Sequence, residues 1–218
     1  NDYKIKKIWT NFYPNSIGLF YSTITDYLGF EINEGEFKVM SLSSFGKPTY
    51  EKELKKIFDI NNFTINMDYF EFHKSPSKSF SKKLCEVFGE PYLNINEEAN
   101  FNKYADIASS TQLILEHTMK NLIQKAIHLS GKRKVVLTGG VALNCKMIHS
   151  LSKQSIFEEM IVPPSPGDSG SAIGAANFAF LEKSKTKTLN FSNIFLGPKK
   201  NFINKKENKD NFFSKINI

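Results

Sequence analysis

Residues 105–181 alternate between amphipathic helical patterns and short β-branched runs, an order that places the chain in the α/β class. The clearest helix covers 105–129. There Ile107, Leu115, Met119, Leu122, Ala126 and Leu129 recur at helical steps, joined by Ile114, Ile123 and Ile127, and Gly131 stops it. Lys134-Val135-Val136-Leu137-Thr138 follows as a buried strand. Gly139-Gly140 predicts a tight turn and then a helix to about Ser152. Met160-Ile161-Val162 reads as another strand, Pro163 through Gly167 as a rigid loop, and Ala172 through Leu181 as a small-residue helix.

The first hundred residues are less regular. Pro14-Asn15-Ser16 opens a helix whose apolar face holds Ile17, Leu19, Phe20, Ile24, Tyr27 and Leu28, and Gly29 ends it. After the turn Asn33-Glu34-Gly35-Glu36 come a short segment, Phe37 through Met40, and a Ser/Gly/Pro loop to Pro48. Residues 50–58 predict a charged helix, 62–72 a hairpin strand, and 79–88 a short helix.

Composition narrows the functional classes. No apolar run approaches the roughly 20 residues of a membrane span. Cys85 and Cys145 form no C-x-x-C pair, which argues against a disulfide framework or zinc ribbon and fits a reducing cytoplasm. Six lysines against two carboxylates in residues 199–218 carry four of the seven net positive charges. That concentration in a Lys/Asn-rich tail argues against a nucleic-acid partner.

Two loops carry the chemistry, each just after a predicted strand and just before a helix, where open α/β sheets bind ligands. Gly139-Gly140 lets backbone approach a ligand, the following helix start offers N–H groups to phosphate or ribose oxygens, and Asn144 can present an amide. A helix-packing glycine pair is the competing reading. In Gly167-Asp168-Ser169-Gly170 a carboxylate sits at a helix start among residues of little bulk. It reads either as a cap or as a ligand to a metal.

Five blocks in order resemble the carbamoyltransferases of the nodulation-protein-U type. Val135 through Cys145 (Val-Val-Leu-Thr-Gly-Gly-Val-Ala-Leu-Asn-Cys) resembles their signature, as does Val162 through Ala176. Pro14 through Ser22 resembles their Pro-x-Ser-Leu-Gly-x-Leu-Tyr segment. Glu36 through Leu42, with Phe45-Gly46, resembles their Gly-Glu-x-Lys-Val-Met-Gly-Leu block, with Ser41 replacing a glycine. Ala105 through Gln112 resembles their Asp-Ile-Ala-Ala-Ser-x-Gln helix.

The resemblance implies the actin/sugar-kinase/Hsp70-like (ASKHA) ATPase fold, here as the C-terminal part of a Kae1-like transfer domain over residues 1–183. Residues 184–218 would be a basic linker into an absent YrdC-like domain that makes carbamoyl-adenylate from ATP. The implied reaction moves a carbamoyl group onto a hydroxyl of a sugar or natural-product acceptor. By resemblance Gly139, Gly140, Val141 and Asn144 contact the nucleotide, Lys38 lies near its phosphates, and Asp168 ligates a divalent metal, Fe2+. The family's His-x-x-x-His ligands have no counterpart among His73, His117, His128 and His149. The expectation is therefore a fragment, inactive alone, that needs the missing N-terminal half and the YrdC-like domain in cis or in trans. A non-catalytic nucleotide-binding module and a subunit of a threonylcarbamoyl-type tRNA-modifying transferase remain as alternatives.

Overall fold

In the computed structural model, which describes residues 5–75 and 78–183, helix α1 (Ile17–Tyr27) starts where the Ser16 hydroxyl accepts the Leu19 N–H at 3.3 Å. Caps of this kind contribute about 1 kcal/mol. Helix α2 (Glu36–Leu42) takes up the short segment expected over Phe37 through Met40 and extends past both its ends. Glu36 Oε1 accepts the Asn33 N–H at 3.1 Å and so fixes the entry into α2. Helix α3 (Glu51–Ile57) is the expected charged helix.

The strand expected over 62–72 is mostly something else. Only Thr64–Ile65 (β2) pairs, antiparallel with Phe58–Asp59 (β1). Asn66 then caps a 3-10 turn over Met67–Tyr69 by accepting the Asp68 N–H, and Phe70 forms an isolated bridge to Phe80. The alternation is real, but its buried residues serve three short elements. Helix α4 (Lys82–Phe88) ends at Gly89, which has a positive φ of 81°.

Helix α5 (Glu98–Ser130) has 33 residues and extends about 50 Å. It begins seven residues before the expected start, because Phe101 and Tyr104 continue the apolar stripe beneath an Asn-rich surface that hides it. Tyr104 is fully buried, and its hydroxyl accepts the Leu93 N–H at 2.7 Å. Gly131, left-handed at φ 66°, ends the helix as expected. Helices α1, α2 and α3 pack along α5, which is the spine of the fold.

Strand β3 (Lys134–Val136), helix α6 (Cys145–Ser152), strand β4 (Glu159–Ile161) and helix α7 (Gly170–Lys183) complete the α/β order. The strands pair in parallel, Lys134 with Glu159, Val135 with Met160 and Val136 with Ile161. Val135 and Met160 pack on the core, whereas Val136 and Ile161 on the other face are 66% and 50% exposed. The core joins Phe20, Ile24 and Tyr27 of α1 to Leu54 and Ile57 of α3, Ile107 and Ile114 of α5, and Met147 and Leu151 of α6. By its contacts the chain divides into two compact units, Asn1–Ala175 and Ala176–Ile218, so the division falls within α7. Residues 184–218, expected as a linker, lie outside the described residues. No helix among the described residues is long and apolar enough to cross a membrane.

Candidate functional site

The two motif loops meet at the C-terminal ends of β3 and β4. The Leu137 N–H donates to Ile161 O at 2.9 Å and prolongs the ladder past β3. Pro166 O then accepts both the Gly139 N–H, at 2.7 Å, and the Thr138 hydroxyl, at 3.0 Å. This clamp holds Gly139 at φ 99°, ψ 164°, backbone that a side chain would strain. Gly140–Leu143 follow as a 3-10 turn whose opening N–H groups have no partner within it. Asn144 caps α6, its Oδ1 accepting the Met147 N–H at 2.8 Å.

Across the clamp, Ser165 and Ser169 share a hydroxyl hydrogen bond of 2.6 Å. A side chain on Gly170 would stand 2.0 Å from Ser165 O, so close backbone approach explains its small size. The Asp168 backbone carbonyl accepts from the N–H and hydroxyl of Ser171. Its carboxylate is exposed and has no partner among the described residues.

A cleft of about 530 Å³ opens beside Gly140, Val141, Leu143 and Asn144. Its other walls are the start of α1 (Ser16, Gly18 and Leu19, then Tyr21 and Ser22), the turn into α2 (Asn33, Glu34), α2 itself (Glu36, Phe37, Met40), and Leu115 of α5. Among the described residues the lining carries two carboxylates, Glu34 and Glu36, and no lysine or arginine. Glu36 Oε1 accepts the Ser22 hydroxyl at 2.6 Å and the Asn33 N–H at 3.1 Å. Beneath the cleft, the Tyr21 hydroxyl donates to Gln112 at 3.1 Å, and Gln112 pairs reciprocally with Asn144. Burial holds the Tyr21 phenol well above its ordinary pKa, so it stays a neutral donor.

Of the residues singled out in the sequence, Gly140, Val141 and Asn144 share this cleft, with Gly139 immediately before them. Lys38 does not line it; its ammonium rests over the rings of Phe30 and Phe37, at 5.7 and 6.0 Å. Asp168 lies on the neighbouring loop, outside the lining. Sequence reasoning passed over Tyr21, Ser22, Glu36 and Gln112. The available signal was Gln112, a polar residue at a core-facing position of an apolar stripe.

Divalent iron finds no complete site. Among the described residues no three His, Cys, Asp or Glu side chains come together, and Asp168 stands without a second ligand. Among the described residues the donor set does not by itself complete a site for a resident metal.

The family model for the carbamoyltransferase N-terminus matches residues 1–177. An uncharacterized protein of Synechocystis sp. is 35% identical over 172 residues, covering 77% of this chain and 28% of that protein. Nodulation protein NolNO of Sinorhizobium fredii is 28% identical over 177 residues, 79% of this chain and 24% of the relative. Nodulation protein NolO of Bradyrhizobium diazoefficiens is 28% identical over 166 residues, 74% of this chain and 28% of the relative. The chain thus spans roughly a quarter of the length of these curated relatives.

Proposed function

Because this chain belongs to the carbamoyltransferase family, matching its N-terminal region, we propose that it is part of an O-carbamoyltransferase and that its cleft binds the adenosine of the carbamoyl donor. The observation that carries this reading is the convergence of Gly140, Val141 and Asn144 on one cleft just beyond the end of β3, one of two parallel strands, the usual ligand position in such sheets. Among the described residues no cationic side chain lines the cleft, so it suits a neutral nucleoside better than phosphates. The phosphates would extend toward the start of the Gly140–Leu143 turn, whose opening N–H groups have no partner within it. The fold proposed for the whole domain is the ASKHA type.

In the proposed reaction the acceptor's hydroxyl oxygen bonds the carbamoyl carbon of carbamoyl-adenylate. The bond from that carbon to the phosphate oxygen breaks, AMP leaves with the electron pair, and the hydroxyl proton is released. A sugar or natural-product hydroxyl is the acceptor class. The chain's share is to hold the donor; the catalytic groups and any metal ligands beyond Asp168 come from polypeptide outside these residues.

Calorimetric titration with ATP tests the binding step. Asn144→Ala, which removes a ligand-facing amide as well as a helix cap, should weaken ATP binding about tenfold. Equal affinity would remove Asn144 from the site, and absence of ATP binding by the unaltered chain would remove the nucleotide from the cleft.

A further inference from the structure

We infer that Gln112 is a positioning residue for the cleft, fixing which end of the Asn144 amide faces the ligand; this rests on the reading of the cleft as the donor-nucleotide site. Gln112 lies on α5 and is 2% exposed, where an unpaired amide would be costly. Its whole hydrogen-bonding capacity is taken up. Oε1 accepts the Tyr21 hydroxyl at 3.1 Å and Asn144 Nδ2–H at 2.9 Å. Nε2 donates to Asn144 Oδ1 at 3.0 Å and to Glu116 Oε1 at 2.9 Å.

The same accounting leaves one polar group of Asn144 outside its pairing with Gln112 and the helix cap. Its Oδ1 is occupied twice, by Gln112 Nε2–H and the Met147 N–H, and one of its two Nδ2 hydrogens is given to Gln112. The second Nδ2 hydrogen remains, beside the Tyr21 hydroxyl and on a residue that lines the cleft. Flipping the amide would set its NH2 against two donors, Gln112 Nε2–H and the Met147 N–H. Gln112 and the helix cap together therefore make Asn144 a fixed donor, and the bound ligand must meet it with an acceptor such as a ring nitrogen, carbonyl or hydroxyl oxygen. Tyr21 and Glu116 in turn hold Gln112 in its orientation.

The test compares ATP affinity of the full chain with that of Gln112→Glu, Gln112→Met and Tyr21→Phe, in the pH range where circular dichroism shows each folded. In Gln112→Glu the ionised carboxylate loses the donor and faces both Asn144 Oδ1 and the Glu116 carboxylate. Its Kd should rise about tenfold at pH 8 and recover as pH falls and the new carboxyl regains a proton to donate. Gln112→Met should bind weakly at every pH, and Tyr21→Phe should be affected less. A purely structural Gln112 would give folded variants with wild-type Kd and no pH-dependent recovery, which would overturn the inference. Should the unaltered chain itself fail to bind ATP, the nucleotide reading falls, a result distinct from variants that match a binding-competent wild type.

Discussion

At the scale of single residues, the two loops hold one packing glycine, Gly170, and one that faces the cleft, Gly140. Gly170 has no room for a methyl group, which would meet Ser165 O at 2.0 Å. Gly170→Ala should therefore cost about 1–3 kcal/mol, as overpacking against backbone does, and urea denaturation would read the loss. Gly140 lines the cleft, yet a side chain built there meets nothing within 4 Å. Gly140→Ala should change stability by no more than about 0.5 kcal/mol while weakening ATP binding, because its methyl occupies ligand space. A Gly140→Ala variant that binds ATP normally would show that the cleft is not the nucleotide site. The smallness around Asp168 is thus, at Gly170, a matter of backbone contact, and no metal is needed to explain it.

At the scale of elements, legibility followed the strength of the local pattern. Gly131 and Gly29 mark helix ends because a helix terminating in a left-handed residue favours glycine, and both have positive φ. The parallel strands were legible from β-branched runs bounded by turns. The start of α5 was not, since Asn100, Asn102 and Lys103 break up the stripe that Phe101 and Tyr104 continue. The strand expected over 62–72 stops after Ile65 because Asn66 caps a 3-10 turn there. Asp59 accepts the N–H groups of Asn61 and Asn62 and the Asn62 amide, at 2.8–3.0 Å, folding the turn immediately after β1. These donors, the Asn62 N–H foremost, hold the Asp59 carboxyl below its ordinary pKa. A depressed folded-state pKa means the unfolded chain binds more protons in that window, so this contribution is present above about pH 4 and is lost as pH falls through the folded value. The melting temperature of Asp59→Asn, which keeps the acceptor but not the charge, should fall less steeply than that of the native chain below pH 4. Identical acid limbs would show that the turn carries no such linkage.

At the scale of the whole molecule, the core is aromatic and its phenols are what alkaline conditions must disturb. Tyr27 is fully buried, its ring 5.5 Å from Phe80, 5.6 Å from Phe88 and 6.2 Å from Tyr104, and its hydroxyl donates to Gly89 O at 3.0 Å. Burial raises the pKa of Tyr21, Tyr27, Tyr50 and Tyr104. These tyrosines join α1, α3 and α5, so their ionisation is coupled to the packing of the whole first unit. The sign follows from linkage: a raised folded-state pKa gives stability that is complete below the unfolded value near 10 and is lost as pH rises toward the folded values. In an alkaline titration, phenolate absorbance at 295 nm should therefore lag behind that of free tyrosine and then rise together with the loss of helical circular dichroism. If all eight tyrosines ionised near pH 10 with the helix signal intact, these rings would be open to solvent. The packing that supports Tyr21, and through it Gln112 and the cleft, would then have to be drawn differently.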